Sequence, residues 1–204
     1  MIDQESIEEH LCELAAIDDR IKKLWGLVGT PEFNIRESGC AALIKIIIEQ
    51  QVSTKAANAI WNRLVAEGFI SNPLKFTSES GQKLRELGLS RQKVSYCRNI
   101  VSLSSSGDFK FDDLNKMSDQ DAITTLVSLK GIGLWSAEIY LIFVLGRQDI
   151  IPADDLALLI AAGRYFDNGE RWPSKLLRSE SEKWKPWRSS VALLLWHGYE
   201  SGKI

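Results

Sequence analysis

Apolar residues recur every three or four positions along almost the whole chain, and the strict alternation that would build strands is scarce. That period confines the chain to an all-α class. Helices are expected to begin near Ser6, Asp18, Ser38, Ser53, Glu79, Ser90, Ser118, Leu134, Asp155, Ser174 and Trp187, many of them opened by a Ser or Asp able to cap free amides. Breaks fall at Gly29-Thr30-Pro31, Gly68 to Pro73, Ser104 to Gly107, Gly146, Asp167-Asn168-Gly169 and Pro173. None resembles a flexible linker, and no regular repeat is present. With 204 residues, 45% of them hydrophobic, the chain has ample core for one large or two intimately packed units.

Composition narrows the function classes. No apolar run is long enough to span a bilayer, and the acidic start Met1-Ile2-Asp3-Gln4-Glu5 does not read as a signal peptide, so a cytoplasmic protein is expected. Cys12, Cys40 and Cys97 have no paired spacing, and only His10 and His197 could add imidazole, which disfavours a structural zinc or a four-cysteine iron–sulfur cluster. The net charge of −2 is unevenly spread: seven acids and one base lie between Met1 and Arg20, whereas Arg171 to Arg188 holds six bases against Glu180 and Glu182. A second basic stretch contains Lys83, Arg85, Arg91, Lys93 and Arg98. A modest positive face on a near-neutral body suits a protein that grips DNA and still moves along it; ordinary solvated helix faces would look the same.

The segment Leu129 to Leu156 carries the strongest chemical signal. Ser118-Asp119-Gln120-Asp121 has a capping-box pattern and starts a helix that runs into Leu129-Lys130-Gly131-Ile132-Gly133, after which a second, apolar helix begins. Ile132 can plug between the two helices, while Gly131 and Gly133 keep the turn tight and its amides clear, a notch for a phosphate. A tight αα-corner without a ligand is the plain alternative. One helix later stands Pro152-Ala153-Asp154-Asp155-Leu156. Either aspartate could simply cap the next helix; a carboxylate held near a bound sugar-phosphate could instead stabilise positive charge developing at an anomeric carbon.

On these residues the chain resembles the helix-hairpin-helix superfamily of DNA glycosylases, and within it the 3-methyladenine DNA glycosylase II (AlkA-like) group. The supporting blocks run from Ile46 to Ser53 with Ala56-Ala57, from Leu87 to Ser90 with Lys93, from Leu129 to Ala137 with Pro152 to Leu156, and from Trp184 to Ser189 with Leu195-Trp196. The resemblance spans roughly residues 35–199. It implies a two-lobed helical fold with a cleft between lobes, lobe one approximately 36–130 and lobe two 1–35 plus 131–204, the whole of 1–204 being a single glycosylase unit. It leaves no room for the additional β-rich N-terminal domain of the family's larger bacterial members.

The resemblance also implies roles. Asp155, rather than Asp154, matches the family's invariant aspartate and becomes the expected catalyst. Superfamily members that also cleave the backbone carry a nucleophilic lysine where this chain has Trp135, which implies a monofunctional enzyme that uses water. Trp135 and Trp196 match pocket-lining positions, and indole faces attract a cationic purine by about 0.5–2 kcal/mol per contact; core packing is the alternative for both. The family's pocket tyrosine aligns with Ile139. Gln50 and Gln51 should project from a helix end, where Gln51 matches the residue that fills the hole left by an extruded base; a plain polar helix end is the alternative. Leu129, Gly131, Ile132 and Gly133 form the DNA-binding turn, at which the superfamily suggests an alkali cation bridging carbonyls to phosphate, with no cofactor for the chemistry. Leu134 stands where many hairpins have Arg or Lys.

The expected partner is double-stranded DNA containing damaged bases, handled by a monomer in the cytoplasm, at the nucleoid of a bacterium or in the nucleus of a eukaryote. Two other readings stay open: a glycosylase for uracil or an oxidised purine, and a non-catalytic helix-hairpin-helix DNA-binding module, which would have no need of a carboxylate at 155.

Overall fold

A computed structural model describes residues 1–204 and is helical throughout, without strands. The helices are α1 (Gln4–Ile17), α2 (Asp19–Val28), α3 (Cys40–Glu49), α4 (Thr54–Ala66), α5 (Lys75–Ser78), α6 (Gly81–Glu86), α7 (Arg91–Ser106), α8 (Asp119–Val127), α9 (Leu134–Phe143), α10 (Leu156–Phe166), α11 (Ser174–Ser181) and α12 (Arg188–Glu200). Short 3-10 turns occupy Phe111–Lys116 and Glu182–Trp184. No helix is long and apolar enough to cross a membrane.

Capping explains most of the starts. Asp18, Ser53, Ser90, Ser118 and Asp155 each accept an amide from the first turn they precede. Three starts differ from expectation. Ser6 lies inside α1, because Asp3 is the cap and Ser6 completes a reciprocal capping box with it. Ser80, not Glu79, caps α6. α3 opens after Gly39, while the Ser38 hydroxyl lies 3.3 Å from the Tyr140 hydroxyl. The expected box at Ser118 is half formed: the Asp121 carboxylate accepts the Ser118 hydroxyl at 2.6 Å instead of the Ser118 amide. α5 and the 3-10 turns are too short to show a period in sequence.

The chain divides into two compact units, one of residues 1–35 with 141–204 and one of 36–140. The change falls inside continuous α9, later than the expected 130, because an unbroken helix carries no Gly or Pro signal at the point where its neighbours change. In the 36–140 unit α3 is the centre, with Leu43, Ile44, Ile46, Ile47 and Ile48 all inaccessible. Its apolar residues cover most of its circumference, leaving Lys45 and Glu49 along one edge, and α4 and α7 both pack on it.

In the other unit α10 packs on α12, and α12 on α1 and α2. A Cβ on Gly163 would lie 1.8 Å from the Glu170 carbonyl, so only glycine lets the loop after α10 fold back onto that helix. His10 is buried with Nδ1 2.9 Å from the Ser190 Oγ and its ring stacked 3.8 Å from Trp187; burial lowers its pKa. The α1–α2 corner is fixed by Asp18, which takes Arg20 through both carboxylate oxygens and accepts the Trp184 indole N–H at 3.2 Å. Burial alone would raise the Asp18 pKa, but the Arg20 and Trp184 hydrogen bonds outweigh it and hold the value at about 2.

A carboxylate with a depressed folded pKa contributes stability that is complete above its unfolded value, 3.8, and is lost as the pH falls toward about 2. Asp18→Asn keeps the cap but loses the charge. It is expected to destabilise the protein at pH 7 by up to about 2 kcal/mol, lessened by solvent around half-exposed Arg20. Urea denaturation of both proteins from pH 7 to pH 2 checks this; a gap that does not close on acidification contradicts it.

Candidate active site

The hairpin lies within the 36–140 unit as far as Tyr140. Its turn is closed by the Ile132 amide on the Leu129 carbonyl at 3.1 Å, and both side chains are buried, Ile132 as the expected plug. The two glycines serve different ends. Gly131 has φ +89, and a Cβ there would sit 2.3 Å from the Tyr96 ring of α7. Gly133 faces open space, with nothing within 4 Å of an added Cβ, so its place in the turn leaves the backbone exposed. Trp135, half-buried, follows on the first turn of α9.

Gln50 does not project as a tip. Its Nε2 donates to the Gly131 carbonyl and to the Ser136 Oγ, both at 2.9 Å, so it ties the end of α3 to the hairpin turn. Gln51 is exposed instead, with φ +55, a left-handed conformation that costs a non-glycine residue about 1 kcal/mol or more and commonly marks a functional position. The loop is held from below by Lys93, whose Nζ donates to the Ile48 and Gln50 carbonyls at 2.8 Å each. Burial pushes the pKa of that ammonium down. Lys93 thus satisfies carbonyls that a helix end leaves without amide partners. The role of Gln50 escapes sequence reading because its partners are 81 and 86 residues away.

Asp155 lies in the unit of 1–35 with 141–204. Asp154 and Asp155 have different partners. Asp154 is exposed and turned to α11, where the Ser174 hydroxyl and the Arg178 guanidinium, 2.9 Å away, hold its pKa below the usual range. Asp155 is half-buried and caps α10, its Oδ1 accepting the Leu158 amide at 2.9 Å. The same Oδ1 accepts the Trp196 indole N–H at 3.0 Å. Trp196 also packs against Phe143, ring centroids 5.7 Å apart. The role expected of Trp196 is stacking; the structure adds a hydrogen bond to the carboxylate.

The approach to Asp155 is clamped from the start of α12. Arg188 takes both oxygens of Asp149 at 2.6 and 3.1 Å and the Asp149 carbonyl at 2.9 Å. Buried Ser189 donates to the Arg147 carbonyl and accepts the Ile150 amide. The block Trp184 to Ser189 therefore shapes the loop that delivers Asp155, and Trp184 itself is core rather than site. Ile139 is buried and offers no stacking wall.

The family model described as HhH-GPD superfamily base excision DNA repair protein matches residues 44–186. The chain is 31% identical over 191 residues to DNA-3-methyladenine glycosylase 1 of Schizosaccharomyces pombe, covering 90% of this chain and 83% of the relative. Among solved structures it is similar to the S. pombe 3-methyladenine DNA glycosylase in complex with abasic DNA, with a TM-score of 0.86, 29% identity, and 96% and 97% of the two chains covered. A DNA-3-methyladenine glycosidase from Bacillus halodurans aligns with a TM-score of 0.78 and 29% identity over 95% and 90% of the chains.

The two turn glycines should separate in stability measurements. Gly131→Ala is expected to destabilise by about 2 kcal/mol or more, since the methyl meets the Tyr96 ring and the backbone is left-handed, whereas Gly133→Ala should stay within about 1 kcal/mol of the parent. Equal losses in chemical denaturation would contradict the distinction.

Proposed function

Because the chain belongs to the HhH-GPD superfamily of base excision DNA repair proteins, we propose that it is an alkylbase DNA glycosylase that extrudes a 3-methyladenine-like purine from duplex DNA. It hydrolyses the N-glycosidic bond and leaves an abasic site. The names of the similar proteins support the substrate class. The observation that carries the chemistry is Asp155, a half-buried carboxylate oriented through Oδ1 by a helix amide and an indole N–H.

A purine alkylated on a ring nitrogen is already cationic, so its departure needs no proton donor. The barrier lies in positive charge appearing on the sugar. Asp155 meets that need by stabilising the oxocarbenium-like centre or by aligning water. The Leu158 amide and the Trp196 N–H prevent the carboxylate from rotating, which lowers the reorganisation needed when charge develops. Trp135 and Trp196 supply indole faces for the extruded base. With Trp135 at the lyase lysine position, the enzyme is monofunctional.

The amides of residues 129–133 take a backbone phosphate, Gln51 enters the space vacated by the base, and Gln50 keeps the two at a fixed separation. The turn offers neutral carbonyl oxygens, a set that would suit a weakly held alkali cation. Leu129 and Gly131 would hold it, and it would strengthen DNA binding without entering the chemistry. Acting on chromosomal DNA, the protein works in the cytoplasm of a bacterium or the nucleus of a eukaryote.

Asp155→Asn retains a capping oxygen but no charge. It is expected to slow release of 3-methyladenine by about 10²-fold or more, while duplex affinity stays within a few-fold; undiminished release, measured as free base under single turnover, sinks the assignment. Trp196→Phe keeps an aromatic face and removes the N–H donor. A fall of about 10-fold in kcat with little change in KM is expected if orientation of Asp155 matters, whereas a rise in KM alone would reduce Trp196 to a stacking surface. Borohydride added during turnover by the parent should trap no covalent protein–DNA adduct.

A further inference from the structure

The hairpin turn presents amides but little charge. Leu134 is 40% exposed where many hairpins have Arg or Lys, and the chain carries a net −2. A protein that holds a polyanion still needs cations close to the strand. Four of the eleven arginines are paired with carboxylates: Arg20 with Asp18, Arg36 with Glu49, Arg178 with Asp154 and Arg188 with Asp149. Arg85 and Arg91 are exposed and pair with no carboxylate.

Arg85 and Arg91 line one pocket of about 290 Å³ together with Arg98 and Ser95, and no acidic residue lines it. Arg98 is fixed by donation from Nε to the Phe76 carbonyl at 2.9 Å and from Nη2 to the Glu79 carbonyl at 2.6 Å. A guanidinium has five N–H donors, so others remain for a ligand. Ser95 adds a hydroxyl. Planar guanidiniums and a hydroxyl around a concave surface match the oxygens of a phosphate.

The pocket is also rigidly tied to the residues that face DNA in the proposed function. Arg91, Ser95 and Arg98 recur at helical spacing on one side of α7. From the opposite flank of the same helix, Lys93 holds the carbonyls beneath Gln51, and Tyr96 packs on Gly131. One helix therefore fixes the separation between the turn, the Gln51 loop and the arginine pocket.

We propose that this pocket binds a second backbone phosphodiester of the duplex, distinct from the phosphate taken by residues 129–133, and supplies the charge that the hairpin lacks. The inference rests on the reading that the chain binds DNA. Contact of this kind is indifferent to base sequence and to the presence of a lesion.

The test is equilibrium binding of the full chain to undamaged and lesion-containing duplexes over a range of salt. For R85Q with R91Q, affinity at about 0.1 M salt should fall about 10-fold for both duplexes, and the slope of log K against log[salt] should shrink by about 1 to 2. K22Q with K23Q, a neutralised pair on α2, should leave the slope unchanged. An unaltered slope in the arginine variant, a loss confined to the lesion duplex, or an equal loss in the α2 variant would overturn the site. Should the double variant unfold, R91E alone carries the test, with a slope loss of about 1. A chain that binds duplex but releases no base overturns the glycosylase reading and leaves the pocket standing, so the two failures are distinguishable.

Discussion

The hydrogen bonds that converge on Asp155 Oδ1 set the terms for this molecule. In the proposed reaction a carboxylate meets a developing cation, and it serves best when its orientation is fixed beforehand. An amide at a helix start and an indole N–H orient Asp155, whereas Asp154 is turned away to Arg178. The same requirement accounts for the apparatus around α12. Arg188 and Ser189 fix residues 147–150 from one end of that helix, while Trp196, further along it, reaches Asp155.

A comparable economy of elements holds in the 36–140 unit. In the proposed function a wedge at Gln51 and a phosphate clamp at the hairpin act together only if their spacing survives the strain of opening a duplex, which costs a few kcal/mol per unstacked step. Gln50 supplies the direct link through the Gly131 carbonyl and the Ser136 hydroxyl. Lys93 supports the same loop through backbone carbonyls alone. Because these contacts are hydrogen bonds in a half-buried setting, they resist displacement more than exposed ion pairs would. The left-handed Gln51 is held by this scaffold and not by its own preference.

Legibility in the sequence followed the range of the interactions. The all-α class came from a period that every helix of three turns must show, and most helix starts from caps that act within three residues. Asp155 and the hairpin were legible because a local turn grammar places them; the two aspartates could be told apart only through family resemblance, since their separate partners, Arg178 and Trp196, lie far along the chain. What stayed hidden was nonlocal: Gln50 as a tie rather than a tip, Trp196 as a donor as well as a ring, Asp18 as the anchor of Trp184. No pattern of neighbours marks a side chain whose partner arrives from 81 or 166 residues away.

The tryptophans show how such nonlocal roles divide one residue type. Trp184 is wholly buried and gives its N–H to Asp18, and Trp187 stacks on His10 and gives its own to Glu13. Trp196 uses the same bond differently, because its acceptor is the candidate catalyst and its ring is only half-covered. An indole offers a broad electron-rich face and, unlike a phenol, an edge group that only donates. In the proposed reaction both properties of Trp196 are useful at once: the face suits a cationic base, and the edge holds the Asp155 carboxylate that would meet the charge left on the sugar. Phenylalanine would keep only the first, and histidine would place a titratable ring beside Asp155.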